Sequence, residues 1–156
     1  MAQLTGYPQG FHADTDTVDS SELVPTGTRA YDTSGNEYIY LLGVASTAAN
    51  SWVTFDEAHT TTLAVANAKG RVAIAMAATI ADKYGWYQIY GSATGKVLTG
   101  FADNGAVYLT STAGSVDDAD VAGDAVIGAI GRSAATASLT ATMELNYPIV
   151  MDIAID

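Results

Sequence analysis

The chain contains no cysteine, which excludes disulfide frameworks, Cys-ligated zinc and thiol nucleophiles together. Cations are scarce: 6 Lys and Arg stand against 17 Asp and Glu, for a formal net charge of −11. With no basic stripe to neutralise phosphates, nucleic acid is not an expected partner, and anionic membrane surfaces are disfavoured for the same reason. The longest mainly apolar stretch, Val72–Ala81, falls far short of the roughly 20 residues a bilayer-crossing helix needs. Met1–Gly10 hold no basic region followed by an apolar one, so neither a membrane partner nor a signal peptide is expected.

Chemistry-bearing patterns are equally sparse. Of the 2 histidines, His12 lies near Asp14, Asp16 and Asp19, but that spacing departs from a calcium loop in its ligands, its glycine and its closing glutamate. His59 sits in Asp56-Glu57-Ala58-His59-Thr60, which reads as a surface loop. Asp117, Asp118, Asp120 and Asp124 form the densest acidic cluster, read as a charged turn guarding a sheet edge rather than a cation site. Gly91-x-x-x-Gly95-Lys96 lacks the rest of a phosphate-binding loop, and no Gly-x-Ser-x-Gly elbow occurs. The expectation is a protein that is not an enzyme and uses no cofactor or metal.

What is present is β patterning. Leu, Ile, Val and Phe together make up 33 of the 156 residues, enough for a thin core that self-association would supplement. Residues 1–28, punctuated by Pro8, Gly10, Pro25 and Gly27 and carrying four acids from Asp14 to Glu22, read as an extended N-terminal arm. Residues 29–156 read as the body. Strands are expected at Glu37–Val44, Ser51–Phe55, Arg71–Ile80, Tyr84–Gly91, Lys96–Phe101, Ala106–Ser111, Ser138–Leu145 and Ile149–Ile155, each alternating with period two. Asn104-Gly105 marks a hairpin between the fifth and sixth of these. In Ser138–Leu145 the alternation puts Leu139, Ala141, Met143 and Leu145 inward. Of the two Ala-rich stretches, Val44–Asn50 suits a helix, whereas Ala119–Ile130 carries Gly123, Gly128 and β-branched residues and reads as strand or loop. The fold class is all-β: a small antiparallel β-barrel or sandwich with an extended N-terminal arm.

One segment carries more than statistics. Tyr84-Gly85-Trp86-Tyr87-Gln88-Ile89-Tyr90-Gly91 resembles the Tyr-Gly-Trp-(Val)-Gln-(Val)-x-Gly stretch of tailed-phage capsid decoration (head cement) proteins, departing from it at Tyr87. Gly27-Thr28-Arg29-Ala30-Tyr31 with Gly35-Asn36-Glu37-Tyr38-Ile39-Tyr40 is similar to their opening hairpin. Gly105–Leu109 and Ala125–Ile130 are similar to later strands, so the likeness runs from Gly27 to Pro148. The resemblance implies a β-barrel-like body, a homotrimer, a major capsid protein as partner, and a place on the outer surface of the virion after synthesis in the host cytoplasm. Under it, Tyr7, Phe11, Trp52, Tyr84, Trp86 and Tyr87 are the candidates for capsid or oligomer contacts, with Trp52 and Trp86 also readable as core. Two other readings remain: a head-fibre or tail-tip subunit, and a carbohydrate-binding β module using Trp52 and Trp86.

Overall fold

Asp32 shows how short-range chemistry builds this chain. One of its carboxylate oxygens accepts from the Ser34 and Asn36 amides at 2.8 and 3.0 Å. The other accepts from the Asn36 side chain at 2.7 Å and the Tyr38 hydroxyl at 3.0 Å. With Gly35 at φ +85°, these bonds close the turn between β3 (Arg29–Tyr31) and β4 (Glu37–Leu42).

The computed structural model describes residues 14–153, together with the backbone of Thr5–Gly6. Twelve strands and no helix occur among the described residues. Besides β3 and β4 they are β1 (Thr5–Gly6), β2 (Val18–Asp19), β5 (Trp52–Phe55), β6 (Thr61–Leu63), β7 (Gly70–Ala75), β8 (Tyr84–Lys96), β9 (Ala106–Leu109), β10 (Val116–Asp117), β11 (Ala125–Gly131) and β12 (Thr140–Val150). Every strand pair is antiparallel, and the main path runs β1-β3-β4-β8-β7-β12-β11-β9-β10. The path begins at β1 and ends at β10, so the sheet is open. Of the two all-β forms expected, the sandwich-like one fits and the closed barrel does not.

Three strands set the architecture. Ile74 and Ala75 of β7 pair with Gln88 and Tyr87 of β8, whereas Arg71 and Gly70 pair with Ile149 and Val150 of β12. Further along, β8 pairs with β12 from Tyr90↔Asn146 to Lys96↔Thr140. β12 therefore wedges between β7 and β8, and the sheet folds over itself at that junction. The result is three apolar clusters rather than one. Trp52, Val72, Ile74, Val97, Phe101, Leu109, Met143 and Leu145 belong to the largest. Ile39, Leu41, Val53, Phe55, Tyr87 and Ile89 belong to the second, and Val24, Ala30, Tyr38, Tyr40 and Trp86 to the third. Alternation sends Trp52 to one cluster and Val53 to another, so β5 is buried on both faces, as are β4 and the first half of β8. That sharing makes a modest aliphatic supply go further, at about 1.5–3 kcal/mol per large side chain buried.

Several expectations require correction. Residues 14–28 of the expected arm pack on the body: Val18 and Asp19 pair with Gly85 and Tyr84, Val24 is buried in the third cluster, and Asp19 accepts the Tyr40 hydroxyl at 2.7 Å. Tyr40 and Trp86 need a cover, and the acidic segment supplies it. The strand expected at Arg71–Ile80 stops at Ala75 because the chain leaves β8 to bridge Thr79 to Thr47, leaving Ile80 exposed. The Asn104-Gly105 turn forms, with the Gly105 amide donating to the Ala102 carbonyl at 3.2 Å. No hairpin of Lys96–Phe101 with Ala106–Ser111 results, since β9 pairs with β10 and β11. Leu139 sits in a turn at φ +54° and is exposed, not inward. The final strand ends at Val150, just before Asp152 turns at φ +50°. Val44–Asn50 is a run of turns with Ser46 and Asn50 at positive φ, not a helix.

Candidate functional site

Most of the aromatic residues singled out in the sequence are structural. Trp52, Trp86 and Tyr87 are fully buried, which corrects their reading as interface residues, whether for a capsid, an oligomer or a saccharide. Trp52 fills space that a glycine leaves open. Gly95 lies so close beneath Trp52 that a Cβ there would stand 2.8 Å from Nε1, and that indole nitrogen donates to the Lys96 carbonyl at 3.1 Å. The Tyr87 hydroxyl bonds Thr79 Oγ1 at 2.9 Å, and burial pushes its pKa up. Tyr84 is half-buried, stacked on Tyr40 with ring centroids 5.9 Å apart. Tyr7, Phe11 and His12 lie outside the described residues.

The acidic motifs resolve into turn chemistry. Asp56 accepts from the Ala58 and Thr60 amides at 3.0 and 2.9 Å, closing the β5–β6 hairpin, and His59 packs its ring over Gly27. Asp118 accepts from the Ala102 amide at 3.0 Å, and buried Asp124 accepts from the Asn67 amide at 2.6 Å. Among the described residues, no group of three or more His, Asp or Glu side chains is placed to hold a metal ion.

Two surfaces stand out instead. The first is aromatic and polar. Between the pairs Ile127↔Ile149 and Ala129↔Leu145 the ladder slips, and Asn146, Tyr147 and Pro148 on β12 face only Gly128 on β11. Tyr147 takes φ +48° in this bulge. Bulges re-aim side chains, and here Tyr147 is turned onto Tyr90, with centroids 5.3 Å apart, both rings being partly exposed. The Tyr147 hydroxyl donates to buried Glu37, which also pairs with Arg29 at 3.2 Å. That bond to a carboxylate is the main reason the Tyr147 hydroxyl is pushed up to about 12. Beside Tyr90, the outward side chains of β8 and β12 form a cleft with Ser92, Thr142, Glu144, Asn146 and Arg132.

The second surface is apolar. Ile127 and Ile149, cross-strand partners, are both exposed. Val121, Ile127 and Ile153 border one open cleft beside β9 and β11, Gly123 bridges to Ile153, and Met151 is exposed between Ile149 and Ile153. An exposed apolar group of this extent marks an interaction surface more often than chance. Neither surface was foreseen. Asn146-Tyr147-Pro148 carried a signal, since proline inside a strand pattern points to a bulge. The alternation of Ile149, Met151 and Ile153 was visible too, but periodicity alone does not say that a face stays uncovered.

No family model, curated protein or solved structure matches this chain.

Proposed function

We propose that the chain is a structural virion protein that decorates the outer surface of a phage head and stabilises it, acting as an oligomer, most simply a homotrimer, against the major capsid protein. The observation that carries this reading is the decoration-protein pattern Tyr84–Gly91, in an acidic all-β chain. Its alternation supplies Trp86 to one cluster and Tyr87 and Ile89 to another, so the pattern is explained as the requirement of a strand packed on both faces. The apolar group of Ile127, Ile149, Met151 and Ile153 supports the reading as a docking face on a protein that is otherwise strongly charged. A decoration protein works by adding interface that must be broken before capsomers separate, and many copies per head make weak contacts effective.

The test is cosedimentation of the purified chain with undecorated heads assembled from the major capsid protein of the phage that carries it. Saturable binding and a higher rupture temperature of the heads are expected. Ile127→Asp with Ile153→Asp should abolish both without changing the melting of the free protein. Failure to bind heads, with binding to host cells instead, would transfer the role to a fibre or tail-tip subunit.

A further inference from the structure

The outward face of the β8–β12 ladder carries an arrangement that capsid attachment does not need. Register places Tyr90 opposite Asn146, Ser92 opposite Glu144, and Thr94 opposite Thr142, and all six side chains are exposed. Inward-facing Ala93, Met143 and Leu145 anchor the same strands in the largest cluster, so the face is presented on a rigid support. Tyr90, Ser92, Arg132, Thr142, Glu144 and Asn146 line a shallow cleft of about 380 Å³. Arg132 is held over it by two bonds, Nε to Glu144 at 2.7 Å and Nη1 to Asn104 at 3.0 Å.

We propose that this cleft binds a neutral saccharide, with Tyr90 as the stacking platform and Asn146, Ser92, Thr142 and the Arg132–Glu144 pair as hydroxyl partners. A pyranose offers an apolar C–H face on one side and a rim of hydroxyls that both donate and accept. Its complement is one partly exposed ring flanked by planar amide, guanidinium and carboxylate groups and by alcohols. Among the described residues, the Ser92 and Thr142 hydroxyls and the Asn146 amide make no hydrogen bond within the chain, so their capacity is available to a ligand. The bound Arg132 and Glu144 side chains lose little freedom on binding. Charge selects the class: Arg132 is neutralised by Glu144, and a net charge of −11 repels sialylated or phosphorylated glycans. A protein partner is the weaker occupant, because an interface core calls for apolar side chains, and on this molecule those lie further along at Ile127, Ile149 and Ile153. The proposal stands independently of head decoration.

The experiment is an amide-resolved NMR titration of the full chain with maltotriose, cellotriose, chitotriose and mannotriose at millimolar concentration, beside sialyllactose and glucose 6-phosphate. At least one neutral trisaccharide should shift the amides of Tyr90, Ser92, Thr142 and Asn146 saturably. Tyr90→Ala and Asn146→Ala should each weaken that binding about tenfold or more, in line with the loss of a stacked ring or a bonding amide. Ile127→Asp should leave it unchanged, and the spectra of the variants report directly on whether they remain folded. If no neutral sugar moves these resonances, if the shifts fall on the apolar face, or if a charged sugar binds more tightly, the proposal is wrong. Since head binding is read separately, loss of one activity does not imply loss of the other.

Discussion

Strands β4, β5 and the first half of β8 differ from β12 in what their alternation achieves. In the first group both faces are covered, and burial runs unbroken from Glu37 to Leu41, Trp52 to Phe55 and Gly85 to Ile89. In β12 it alternates up to the bulge, with Ala141, Met143 and Leu145 inward and Thr142, Glu144 and Asn146 outward. The two-sided region is packed with aromatic rings, Tyr40 and Trp86 lying 5.1 Å apart at a tilt and Trp52 seated on Gly95. It holds the molecule together and has little surface to offer. Among the described residues, the one-sided region has the bulge, the Tyr90–Tyr147 pair and the uncovered isoleucines, so the two surfaces singled out above lie there. Packing and exposed surface thus fall to different parts of one continuous sheet.

Emptying the two-sided region should have the largest effect. Trp52→Ala should cost about 3–5 kcal/mol in urea unfolding, the range for deleting a buried large aromatic. A loss no larger than that of an exposed β12 residue would contradict the division. A smaller but specific effect is expected at the bulge. Gly128 lies at φ +87°, and a Cβ there would stand 2.6 Å from the Asn146 carbonyl oxygen. Gly128→Ala should therefore cost about 1–3 kcal/mol, and the Tyr90–Tyr147 contact should loosen, visible as a change in near-ultraviolet circular dichroism.

Acid and alkali should probe the two regions separately. Burial pushes Asp32 upward, but its bonds from Asn36, Tyr38 and Ser34 outweigh this and hold its carboxyl below the ordinary 3.8. A lowered folded pKa means that its contribution is complete above pH 3.8 and is lost as pH falls through the folded value. Asp32→Asn should flatten that acid limb in urea titrations while leaving the alkaline limb unaltered. Tyr147 is raised from 10.0 to about 12, so its contribution is complete below pH 10 and is lost as pH rises toward 12. Tyr147→Phe should remove a phenol that titrates near 12, read by absorbance. The smallest effect belongs to the outward positions: Thr142→Ala should change stability by no more than about 0.5 kcal/mol. A larger loss would show that the outer face of β12 is structural after all.

How much of this was legible depends on the range of the interactions involved. The strands at Glu37–Leu42, Trp52–Phe55 and Tyr84–Gly91 could be read from alternation because side-chain direction along a strand is local. So could the turns at Asp32–Asn36 and Ala102–Gly105, whose hydrogen bonds span only a few residues. Whether Trp52, Trp86 and Tyr87 are core or contact residues could not be read, for the opposite reason. Alternation tells which residues share a face but not whether a second layer covers it, and here the covering layers come from residues distant in the chain.

Composition and short-range sterics suffice for an acidic, cysteine-free, all-β chain, for its main strands and for the turns that punctuate them. Long-range packing is what sets β12 between β7 and β8, lays residues 14–28 over Tyr40 and Trp86, and leaves the Tyr147 bulge with Ile127 and Ile149 exposed. Those outcomes depend on pairings between residues tens of positions apart, whose free energy comes from burial that no local window contains.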